Sequence, residues 1–196
     1  MIMNTNNSQR LKEFLSRFHD VDEPVLNAYV GQWQYCEEIK KTMLTQAGQT
    51  ERYLYYILNG ACKSYYLHEG KEHIMFFGYQ PSFCGVVESF LTQTPSRYYL
   101  ETISDCEFLK IPYSLHYQFL EDNREVETLF RVICEQLLVG IIERHHELMA
   151  FDARTRFLNF VKRSPHLLQI VPQKDIASYL RIDATNFSKF INSIKI

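Results

Sequence analysis

The chain has 196 residues, 46% of them apolar and 22% charged, with a formal net charge of −2. That is the balance of one folded unit or two small ones, and it excludes a disordered chain. The polar, Asn-rich stretch Met1–Arg10 lacks an apolar leader, and the apolar run Leu137–Ile142 is far short of the roughly 20 residues a membrane span needs, so a cytoplasmic protein with no membrane partner is expected.

In chain order, residues 9–19 predict an amphipathic helix, with Leu11, Phe14, Leu15 and Phe18 at helical spacing. From Trp33 to Ile111 the apolar and aromatic runs are short: 53–58, 61–67, 72–77 and 108–111. Turn residues separate them at Asn59-Gly60, Glu69-Gly70 and Gln80-Pro81-Ser82. Six of the seven glycines fall before residue 86, where hairpins need them. This half is a small antiparallel barrel or roll.

After Pro112 the period changes. Residues 113–120 predict a short helix, and 124–149 a long one. Val126, Leu129, Ile133, Leu137, Ile141 and Leu148 form its apolar stripe, widened by Leu138 and Ile142. Such a helix covers the roll or pairs with its twin. Its length exceeds what one small roll requires, which favours a homodimer seam made of those six residues.

No enzyme is expected. The five cysteines (36, 62, 84, 106 and 134) contain no CxxC pair and read as free buried thiols in a reducing compartment. No HxH or HExxH pattern occurs, so neither a metal site nor metal-dependent catalysis is supported. No nucleophile elbow and no phosphate-cradling glycine loop is present.

Charge is divided unevenly. Residues 1–150 hold 13 basic and 20 acidic side chains, a net of −7, whereas residues 151–196 hold 8 and 3, a net of +5. A basic terminal module on an acidic body points to a polyanion partner. Residues 152–163 predict an amphipathic helix, and Gln173–Leu180 a second one opened by Pro172. From Gln173 to Asn192, Ile176, Leu180, Ile182, Phe187 and Phe190 fall at the apolar positions of a helix-turn-helix. Ala177 supplies the small residue where the helices touch. Asp183 stands where the second helix wants its cap. The open face of that helix is Thr185, Asn186, Ser188, Lys189, Asn192 and Lys195, and Lys174 and Arg181 lie beside it. These are the predicted DNA contacts, suited to base edges and phosphates in a major groove. The turn carries Arg181 where a glycine is usual, at a cost of about 1 kcal/mol.

The order of parts resembles the Crp/Fnr family of bacterial transcription regulators. Tyr55-Tyr56-Ile57-Leu58-Asn59-Gly60 and Glu69-Gly70-Lys71-Glu72 look like its roll hairpins, and 171–180 like the first helix of its DNA-binding motif. Asn186-Phe187-Ser188-Lys189 falls in the recognition helix, with lysine replacing the family's arginine; a lysine cannot form the planar fork to guanine. The resemblance implies an α+β chain. Residues 1–121 would be a cyclic nucleotide-binding-like β-roll, 122–150 a dimerisation helix and 151–196 a helix-turn-helix domain. It also implies a homodimer on near-palindromic double-stranded DNA, RNA polymerase as a further partner, and a small-molecule effector in the roll. The family's nucleotide cassette is degenerate here. Val86 follows Gly85 where a glutamate is expected, Glu88 lies further on, and Tyr98 follows Arg97. Gly85, Glu88, Arg97 and Tyr98 are nevertheless the candidate effector residues, and Tyr98 and Tyr99 are candidates to fill the pocket themselves. No cofactor beyond a cyclic nucleotide is suggested. The alternative is a ligand-sensing dimer of the same fold that has lost DNA binding, with Arg181 as its support.

Overall fold

The structure, a computed structural model, describes residues 5–193; Lys195 lies outside the described residues. Two helices lead: α1 (Thr5–Leu15) and α2 (Glu23–Val30). α1 begins four residues before the predicted helix and ends before Phe18, which still packs on the same core as Leu11, Phe14 and Leu15. α2 was not foreseen; its start is marked by Pro24 in the first turn, and it buries Leu26, Tyr29 and Val30.

Eight strands follow: β1 (Gln34–Glu38), β2 (Met43–Thr45), β3 (Tyr53–Asn59), β4 (Ala61–His68), β5 (Lys71–Tyr79), β6 (Ser82–Cys84), β7 (Tyr99–Thr102) and β8 (Cys106–Pro112), with a short helix α3 (Val87–Thr92) between β6 and β7. They form two antiparallel sheets, ordered β1-β8-β3-β6 and β2-β7-β4-β5. The β3–β4 turn needs its glycine: Gly60 has φ +89°, and a Cβ there would sit 2.7 Å from the Cys106 sulfur. Between the sheets lie Tyr55, Ile57, Cys62, Cys84, Leu100, Cys106 and Phe108.

Then come α4 (Tyr113–Asp122), α5 (Arg124–Ala150), α6 (Ala153–Arg163), α7 (Leu167–Ile170), α8 (Gln173–Leu180) and α9 (Ala184–Ser193). The chain is an α+β fold: an antiparallel roll, one long helix and a C-terminal helical group. The short α7 follows the Ser164-Pro165 break and was not anticipated.

The long helix corrects the expected six-residue seam. Val126 and Leu129 are fully buried in the roll's own core, and Ile133 packs against that core. The first turns of α5 are therefore spent on covering the roll and cannot line a seam. Beyond them Leu137, Leu138, Val139, Ile141 and Ile142 are all 40–59% exposed, while Leu148 is half-buried. Among the cysteines, 62, 84 and 106 are buried, Cys36 is half-buried and Cys134 is exposed, so the uniformly buried set expected from the sequence is not found.

Candidate nucleic-acid interface

α8 and α9 are joined by a turn in which Arg181 is left-handed, at φ 55° and ψ 45°. The turn is closed by the Arg181 amide donating to the Ser178 carbonyl at 3.1 Å and the Ile182 amide to Ala177 at 3.0 Å. Arg156 on α6 clamps it from behind, donating to the carbonyls of Leu180 (2.9 Å) and Arg181 (3.1 Å). The conformation that glycine usually supplies is thus held by hydrogen bonds around an arginine. Ile176, Ala177, Leu180, Ile182 and Phe187 are all buried, and Phe190 packs beside them, as the spacing required.

α9 opens on Asp183. Its carboxylate accepts the Asn186 amide at 2.9 Å and the Asn186 side chain at 2.6 Å. Those hydrogen bonds hold the Asp183 pKa below its ordinary value. With Phe187 turned inward, the opposite face presents Thr185, Asn186, Ser188, Lys189 and Asn192, every one exposed. Asn186 therefore serves the cap as well as that face. Lys174 and Arg181 are exposed on the same helical group. Two other basic residues of the module are already occupied. Arg156 holds the turn, and Arg163 pairs with Glu147 of α5 at 2.9 Å.

The helical group does not float free of the roll. Ile74 and Phe77 of β5 share one buried cluster with Phe160, Ile176, Ala177 and Leu180. At its edge Lys63 of β4, 7% exposed, lies 3.2 Å from Asp175 of α8 and 2.6 Å from Glu72 of β5. Burial alone would lower the Lys63 pKa, but the two carboxylates outweigh it and leave it raised. Ser178 ties α8 to the strand backbone: its hydroxyl accepts from the Ile74 amide and donates to the Glu72 carbonyl, both at 3.1 Å. From the other side Arg144 of α5 lies over the Tyr179 ring at 4.1 Å and hydrogen-bonds the Tyr179 carbonyl. Sequence reasoning missed Lys63, Asp175 and Ser178. Each occupies an ordinary polar position, and its partner is remote in the chain.

The cassette residues are not assembled around a ligand. Arg97 is 79% exposed at its side chain and faces Glu88 at 3.5 Å, so the two charges answer each other. Tyr98 packs against the roll's interior cluster, and Tyr99 stacks on Tyr65 with centroids 5.1 Å apart. The first amide after Gly85, that of Val86, donates to the buried carboxylate of Glu51 at 3.2 Å. Glu51 had no signal in the sequence. These residues do not fit a cyclic nucleotide: the arginine is turned outward, the tyrosine fills space, and an acid stands at the loop.

Residues 40–123 match the family model described as the Cyclic nucleotide-binding domain. No curated protein matches the chain. Among solved structures, FixK2 from Bradyrhizobium japonicum is similar at 17% identity with a TM-score of 0.69, over 82% of this chain and 83% of that one. The c-di-GMP responsive global regulator CLP of Xanthomonas campestris gives 15% and 0.64, over 87% and 90%. The catabolite activator protein of Thermus thermophilus gives 13% and 0.56, over 90% and 84%. At such identities the likeness establishes the fold: a cyclic nucleotide-binding-like roll with a long helix and a C-terminal helical group. Among the described residues, no helix is long and apolar enough to cross a membrane.

Proposed function

We propose that this chain is a DNA-binding transcription regulator of the Crp/Fnr type, acting as a homodimer in the cytoplasm and not as an enzyme. The observation that carries this reading is α9, which buries Phe187 and leaves Thr185, Ser188, Lys189 and Asn192 facing solvent beside Lys174 and Arg181. A polar and basic helix face of this kind meets base edges with its short side chains and phosphates with its cations. The division of labour follows the chain: 1–121 as the roll, 122–150 as the dimerisation helix and 151–196 as the DNA-binding part. The seam would be formed by Leu137, Leu138, Ile141, Ile142 and Leu148. A two-fold axis along α5 would set two copies of α9 one helical turn of DNA apart, roughly 34 Å, on a near-palindrome. RNA polymerase would then be met on the bound promoter. The global regulator CLP and the catabolite activator protein, which share this fold, support the reading by analogy.

The test is fluorescence anisotropy at one fixed salt concentration. Duplex from upstream of the protein's own gene is compared with a scrambled duplex of equal length. Preference for the former is expected, with specific binding weakened in Lys189→Ala. Equal binding to both, unaffected by Lys189→Ala, would leave the sensor-only dimer.

A further inference from the structure

The segment that precedes β3 is sewn to the loop and helix that follow β6. The Gly48 amide donates to the Ser96 carbonyl at 2.8 Å, and the Ser96 amide to Gln49 at 2.9 Å. The Glu51 amide donates to the Ser89 hydroxyl at 2.9 Å, and the Gln93 side chain returns a bond to the Glu51 carbonyl at 3.2 Å. At the centre is the Glu51 side chain, in a residue only 1% exposed. One of its oxygens accepts from the Thr45 hydroxyl at 2.7 Å and from the Val86 amide at 3.2 Å. The other accepts from the Tyr53 amide at 3.2 Å. Every one of these partners donates, which is the arrangement an ionised carboxylate requires. Burial is the larger influence and leaves the Glu51 pKa raised, with the donors offsetting part of that pull.

We infer that Glu51 is a built-in occupant of the nucleotide loop, supplying from within the chain the charge and the acceptors that a cyclic phosphate would bring from outside. A phosphate entering here would meet a like charge in a low-dielectric setting, where the repulsion is severe. Expelling Glu51 would instead strand a buried acid and its donors. Arg97 does not offset this, because it faces solvent and Glu88. The roll is therefore closed to cyclic nucleotides through this loop, and the loop is ordered without one. The inference concerns the roll alone and does not depend on the DNA reading.

The experiment uses the full chain, with thermal melting and calorimetry against cyclic AMP and cyclic GMP at millimolar concentration. A ligand that binds the native state must raise the melting temperature. No shift and no heat are expected for the wild type. A saturable rise with either nucleotide would overturn the inference. In parallel, Glu51→Ala should melt several degrees lower, and its Val86 amide should exchange with solvent deuterium much faster. An unchanged melting temperature with unchanged Val86 protection would overturn the role given to the carboxylate. Should Glu51→Ala not fold, Glu51→Gln keeps the size and one acceptor oxygen while removing the charge. Faster Val86 exchange in Glu51→Gln supports the inference, and wild-type protection refutes it.

Discussion

Two regions of this molecule carry polar groups of the kind that hold an anion, and they differ in what has become of those groups. In the loop around Glu51 the donors are consumed by the chain itself, from Gly48 to Ser96. On α9 the side chains from Thr185 to Asn192 that do not pack inward face solvent. A polar group already paired inside the fold contributes to stability, and one left open is free for a partner. The closed region should therefore answer to pH and heat, and the open region to salt and to DNA sequence.

The largest expected effect breaks the comparison on its open side. Leu138→Glu with Ile141→Glu would set charges on the bare half of α5, where both residues are more than half exposed. Analytical ultracentrifugation should then find a monomer, and specific DNA affinity should fall about a thousand-fold toward the nonspecific level. A dimer that survives both charges would move the seam elsewhere.

Next to the closed loop, the roll's aromatic core responds to acid through His116, which packs beside Phe90 of α3. Its ring accepts or donates to the Tyr29 hydroxyl at 2.9 Å inside the aromatic core, and burial depresses its pKa from 6.5 to about 4. The folded protein keeps this ring neutral while the unfolded chain takes up a proton. Stability contributed by the neutral ring is thus present above pH 6.5 and is lost as the pH falls toward 4. The loss amounts to about 3 kcal/mol at full extent. Urea unfolding across that range should show it, and His116→Gln should flatten the slope.

A smaller effect sharpens the open side. Lys189→Ala should weaken specific DNA binding by about 1–3 kcal/mol. If the amine meets a phosphate, the slope of log affinity against log salt falls by about one; if it meets a base, the slope holds and sequence preference relaxes. Anisotropy titrations at four salt concentrations distinguish the two.

The smallest effect concerns the turn. Arg181→Gly relieves a left-handed arginine and should raise stability by about 1 kcal/mol in thermal melts. Because the turn already has its closing hydrogen bonds, DNA affinity should drop slightly with the lost charge and not climb. A large gain in affinity would show that the native turn is misshapen.

Much of this was legible from local pattern. Asn59-Gly60 and Glu69-Gly70 marked hairpins because only certain residues accept positive φ, and both turns stand where expected. The buried positions Ile176, Ala177, Leu180, Ile182 and Phe187 and the half-buried Phe190 followed from helical spacing, as did the span of α5 within one residue. The effector site was not legible in the same way. Its motif named Gly85, Glu88, Arg97 and Tyr98, yet the buried acid that meets this loop is Glu51, which reaches Val86 across 35 positions.

The sequence by itself determined the amphipathic helices α1, α4, α5, α6, α8 and α9, the hairpins and the polar face of α9, because periodicity, turn chemistry and caps act over a few residues. Only the tertiary structure decided which turns of α5 are spent on the roll, that Lys63 and Asp175 join roll to helix, and that an acid fills the nucleotide loop. Those outcomes depend on which distant groups arrive together in a place without water. There an unpaired charge is too costly to leave alone, and no local pattern records its partner.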